Sequence, residues 1–165
     1  MKTPPTQDLF ASAERLLGRT PDDGELQKFL EDLRKWPLPA FGPEELSIYL
    51  ADKDQGFCLQ FDDSSTIQHP VAAGKVAETP LFVRCFFYAE GVEEYHAFSG
   101  TLPNGITWSD NATSLVSKIG LPKHEIKSKK TGKLTGHRWA RGQWMLTASY
   151  KRDGAFLEYL DLGIF

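Results

Sequence analysis

At 165 residues, with 41% hydrophobic and 12% aromatic content, the chain is long enough to bury one substantial core. Eleven Phe, five Tyr and four Trp argue against intrinsic disorder, because that many rings must be buried somewhere. The formal charge of −3 counts against a nucleic-acid binder, which carries a basic surplus, and suits a protein that meets a basic protein surface.

The opening "MKTPPTQDLFASAERLLGR" has no apolar h-region, which predicts no secretory signal. No run reaches the roughly eighteen apolar residues of a membrane span. Both readings predict a cytoplasmic protein with no membrane partner. Cys58 and Cys85 lie in apolar, strand-like segments and read as reduced core thiols; whether they are neighbours is open at this level.

In chain order, residues 8–17 place Leu9, Ala13, Leu16 and Leu17 on one helical face. A second helix follows, with Thr20 as its cap and Pro21 at its first position, carrying Leu26, Phe29, Leu30 and Leu33 on one stripe. Trp36-Pro37-Leu38-Pro39 stops it. The period then changes to two. "LSIYL" and "FCLQF", joined by "ADKDQG", predict a β-hairpin, and "LFVRCFFY" (81–88) predicts a central strand. After an acidic loop comes a helix over "NATSLVSKIG", then a Lys-rich loop, then three strands in "HRWA", "QWMLTASY" and "AFLEYLDL".

That order predicts an α+β fold: one domain over 1–165, built of two helix-plus-three-strand repeats, about 8–98 and 99–165. The repeats would form one antiparallel sheet with helices packed on one face.

Signals for chemistry are weak. Ser109-Asp110-Asn111 and Lys130-Thr131-Gly132 match two motifs of serine β-lactamases, but no Ser in the chain has Lys three positions later. Asn111 and its neighbours read instead as a helix cap, with Gly120 and Pro122 as the helix stop. His69, His96, His124 and His137 are too scattered for a metal-ligand pattern, and phosphate or dinucleotide loops are absent from the sequence. The expectation is a non-enzymatic protein with no cofactor and no metal. The Asp62-Asp63 and Glu93-Glu94 pairs read as solvated carboxylates. Lys127, Lys129, Lys130 and Lys133 lack interleaved aromatics and read as a solubilising hairpin tip.

The candidate site is the acidic loop. Glu90, Glu93 and Glu94 alternate with Tyr88, Tyr95, His96 and Phe98 directly after the most apolar strand. Rings supply buried area and carboxylates steer and pair with Arg or Lys, so the combination suits the capture of a basic protein.

"SDNATSLVSKIGLP" resembles the helix unit of small bacterial α+β repeat domains, in which a capped turn leads to an apolar helix ending in Leu/Ile-Gly-x-Pro. Such units occur in SmpA/BamE-type outer-membrane assembly lipoproteins and in β-lactamase inhibitory protein. "FYAEGVEEYHAFSGTLPNGITWSD", together with "LLGRTPDDGELQKFL", is most similar to cytosolic immunity-type proteins encoded beside bacterial polymorphic toxins. The lipoproteins' lipobox cysteine has no counterpart here. The resemblance implies a protein that binds and neutralises a cognate toxin by protein–protein contact, with a partner whose surface is basic, such as a nuclease. It supplies no catalytic residues. An alternative of a different class is a small-molecule or peptide-binding module using the open face of the sheet, lined by Trp139, Trp144, Tyr150 and Tyr159.

Overall fold

The computed structural model describes residues 6–164. They form an α+β fold with three helices and one seven-stranded antiparallel sheet. Helices α1 (Leu9–Leu16) and α2 (Gly24–Arg34) precede β1 (Ser47–Asp52), β2 (Phe57–Asp63) and β3 (Pro80–Tyr88). Helix α3 (Ala112–Ile119) precedes β4 (His124–Lys127), β5 (Leu134–Arg141), β6 (Trp144–Lys151) and β7 (Phe156–Gly163). The strand order is β1-β2-β3-β7-β6-β5-β4, so two meanders meet where β7 pairs with β3.

The halves are unequal. The first has two helices and three strands, the second one helix and four strands. The strand missed from sequence is β4, "HEIK", whose burial is too slight to produce an apolar alternation. It pairs with β5 across the lysine-bearing tip, which is therefore a hairpin connection.

Local chemistry explains the helix boundaries. Asp23, not Thr20, caps α2: its side chain accepts from the backbone N–H of Glu25 and Leu26. Thr20 is one step further out, in a turn whose carbonyl accepts from Asp23 N–H at 2.9 Å. Asn111 forms a reciprocal capping box with Ser114, and Gly120, at φ 110°, ends α3. The rest of the triplet supports the same helix start. Asp110 is buried, accepts from Thr107 N–H and the Ser114 hydroxyl, and pairs with Lys118 at 2.7 Å.

Period-two alternation then sorts side chains between the two sheet faces. Phe57, Leu59, Cys85, Phe87, Leu146, Ala148, Leu160 and Leu162 face the helices and join Leu9, Leu16, Leu26, Leu30 and Leu115 in the main core. Trp139, Trp144 and Tyr150 belong to that core rather than to the open face; Trp144 Nε1 donates to the Glu14 carbonyl of α1 at 3.0 Å. Of the four rings assigned to the open face, only Tyr159 lies there, in register with Tyr88. Cys58 and Cys85 sit on adjacent strands but are offset by one residue, Cys58 opposite Phe86 and Cys85 opposite Leu59. They therefore point to opposite faces, and both are free.

Candidate functional site

The acidic loop begins where β3 leaves the sheet and folds back onto its own strand. Phe98 N–H donates to the Tyr88 carbonyl at 2.9 Å, Gly91 N–H to the Tyr95 carbonyl at 2.8 Å, and His96 N–H to the Lys53 carbonyl at 2.9 Å. The last bond fastens the loop to the β1–β2 turn. Gly56 in that turn, at φ 77°, permits the approach: a Cβ there would lie 2.4 Å from the His96 carbonyl oxygen and from Phe98 N.

All three predicted aromatic anchors are used internally. Tyr95 stacks on Tyr88, with centroids 3.9 Å apart and planes 10° from parallel, and both cover Cys58 on the open side of the sheet. Burial raises the Tyr88 and Tyr95 hydroxyls above the ordinary tyrosine range and pushes the Cys58 thiol up to about 11. Phe98 turns the other way, edge-on to Phe87 at 4.9 Å in the main core.

The polar members are exposed, and Glu90, Glu94 and His96 are held by named partners. Glu90 accepts from Ala97 N–H at 2.8 Å and lies 3.1 Å from His96 Nδ1, and these bonds, in that order of weight, lower its pKa. Glu94 pairs with Lys53 at 2.8 Å, which holds its carboxyl below the usual range. Glu93 and Glu94 both adopt left-handed backbone conformations, at φ 50° and 67°. Such conformations are costly for residues with a Cβ and persist where surrounding structure enforces them. The structure thus gathers the seven predicted residues into one unit with two roles. Tyr88, Tyr95 and Phe98 form its footing, and Glu90, Glu93, Glu94 and His96 form its exposed crest.

A second feature, missed from sequence, lies at the middle of the open face. Cross-strand register aligns Cys58, Phe86, Asp161, Thr147 and Arg138 in one row across five strands. Asp161 is only 4% exposed, and its Oδ1 makes no hydrogen bond, with Arg84 Nε at 3.7 Å. Arg138 Nε donates to the Thr147 hydroxyl at 3.2 Å beside it. Burial raises the Asp161 carboxyl to about 6, against the opposing pull of Arg84 and Arg138. The available signal was one charged residue inside each of two apolar runs, Arg84 in "LFVRCFFY" and Asp161 in "EYLDLG". Only the register shows that the two meet.

The remaining sequence candidates stay apart. His137 is buried, with Nδ1 3.1 Å from the Tyr150 hydroxyl, and burial lowers its pKa. His69 caps a short turn by accepting from Val71 N–H. Among the described residues no three His, Cys, Asp or Glu side chains form a group able to hold a metal ion. Also among them, no helix is long and apolar enough to cross a membrane.

No family model matches this chain, and no curated protein matches it. Among solved structures, it is similar to a DUF4309 family protein, YjgB, from Bacillus subtilis. The identity is 12% and the TM-score 0.46, over 97% of this chain and 95% of that one. A likeness at that level bears on no point of function.

Proposed function

We propose that the chain is a non-enzymatic binding protein that holds a protein partner against the acidic crest of residues 90–96. In its specific form, it is a cytoplasmic immunity protein that neutralises a bacterial toxin domain with a basic surface. The observation that carries this reading is preorganisation of the crest. Buried Tyr88 and Tyr95, the Glu90–Ala97 bond and the link to Lys53 hold Glu93 and Glu94 outward in a conformation that costs free energy. A loop backbone fixed before encounter loses less entropy when its carboxylates bind Arg or Lys than a mobile one does, and Glu94 exchanges Lys53 for the partner's cation. The meeting of two meanders at β3 and β7 also supports a tandem origin, with the second unit enlarged by β4.

The first test is whether a toxin domain is encoded beside the gene; co-expression with that domain, followed by calorimetry, then reads rescue and affinity. The double variant Glu93→Lys/Glu94→Lys is expected to lose rescue and to weaken binding by about a hundredfold, a size usual for paired interface charges, without loss of fold. Unchanged affinity would remove the crest from the interface.

A second reading, a peptide- or small-molecule-binding module on the open face, is favoured by the cluster of Asp161, Arg84 and Arg138. A buried carboxyl oxygen with no hydrogen bond, beside Arg84, marks a polar site on the face away from the helices. Thermal-shift screening against metabolites separates the two, because a toxin-specific inhibitor gives no hits.

A further inference from the structure

The two edges of the sheet, β1 and β4, are built differently. Strand β4 is four residues long, and His124, Glu125 and Lys127 give it the charges that natural edge strands use against unwanted pairing. Strand β1 has no such protection. Ser47 to Ala51 carry no charge, Tyr49 is 58% exposed, and Leu46 just before the strand is 60% exposed. Residues 35–46 return from α2 to the start of β1, yet make no backbone hydrogen bond to it. Among the described residues the backbone of Ser47–Ala51 pairs only with β2, so alternate N–H and C=O groups face outward along the free side.

Acidic groups bracket this edge. At its far end Asp52 pairs with Arg34 and Glu94 with Lys53, and Asp54 and Glu93 leave the end net negative. At its near end Leu46 opens onto a groove of about 1070 Å³, also lined by Glu44, Glu45, Glu78 and Asp22, with Lys75 the one cation among its described lining residues. The strand between them presents two kinds of side-chain row. Ile48 and Leu50 lie half-buried on the helix side, and Tyr49 lies on the open side in register with Gln60.

We infer that β1 accepts an eighth strand from a protein partner: an extended segment with an uncharged, alternating middle and lysine or arginine at both ends. The backbone edge supplies main-chain hydrogen bonds, the Ile48–Leu50 row takes alternate side chains, and the acidic ends set the charge of the flanks. The same charges disfavour a second copy of this chain. Antiparallel pairing of two β1 strands brings Glu44 and Glu45 of one copy toward Asp52, Lys53 and Asp54 of the other, whose net charge is negative. This inference rests on the binding function proposed above and names a second part of the same partner surface.

The test uses the full chain and two synthetic peptides that alternate valine and threonine, one ending in lysine pairs and the other in glutamate pairs. The lysine peptide is expected to bind at least about tenfold more tightly and to slow hydrogen exchange of alternate amides within Ser47–Ala51. Tyr49→Lys places a charge on an exposed position of the edge. It is expected to abolish peptide binding while leaving the melting temperature and the exchange of β3 and β7 unchanged. Equal binding of the two peptides, or binding without protection of β1, overturns the inference. So does a dimer in sedimentation that Tyr49→Lys dissolves, since self-pairing would then occupy the edge. If Tyr49→Lys leaves toxin binding intact while the Glu93/Glu94 double variant abolishes it, strand addition fails and the binding function stands.

Discussion

Replacing Asp161 by Asn tests whether the centre of the open face stores unfavourable charge. Asp161 is almost wholly buried, its Oδ1 lacks a hydrogen bond, and it forms an ion pair with Arg84 Nε at 3.7 Å, too long for a hydrogen bond. Desolvation outweighs the two arginines and moves the carboxyl from 3.8 to about 6. A folded-state value above the unfolded one means that the native state binds the proton more tightly. The associated stability is therefore complete below about pH 4 and lost as pH rises through 6. Each tenfold gain in proton affinity is worth about 1.36 kcal/mol, so the ionised group costs about 3 kcal/mol at neutral pH. Asn stands in for the protonated acid. Urea denaturation at pH 7 should thus find Asp161→Asn more stable by about 1–3 kcal/mol, with the advantage disappearing toward pH 4. A variant less stable than the parent at pH 7, with a deficit that grows as pH rises, would refute the reasoning. The pairing with Arg84 would then outweigh burial.

Glu93→Gly removes a Cβ from a left-handed residue and should raise stability by about 1 kcal/mol while weakening partner binding; thermal melts and calorimetry read the two effects. Gly56→Ala should cost about 2 kcal/mol or more, because its Cβ meets loop backbone at 2.4 Å, and should free the amides of residues 91–98 to exchange. Asn111→Ala breaks the capping box of α3 and should lower stability in chemical denaturation by about 1 kcal/mol.

Composition and periodicity established a good part of this protein. The 3.6-residue stripes of α1 and α2, the alternation in β1, β2 and β6, and the Asn111 to Gly120 helix are local properties, decided by side chains a few residues apart. The acidic loop was legible as a unit for the same reason, since its seven residues span only Tyr88 to Phe98. Even so, composition could not divide footing from crest. Tyr95 turns inward because Tyr88 and Cys58 wait beneath it, and that stacking depends on where β3 lies beside β2. Strand β4 was hidden because an edge strand exposed on both sides carries no apolar alternation. Trp139, Trp144 and Tyr150 could be given a side only once strand register was known, because a shift of one residue exchanges the two faces. The same register brings Asp161, from the last strand of the chain, into the row between Phe86 and Thr147. Local sequence thus decided the helices and every strand but β4. Long-range pairing decided which side chains meet, because hydrogen-bond register is a property of two strands and is written in neither alone.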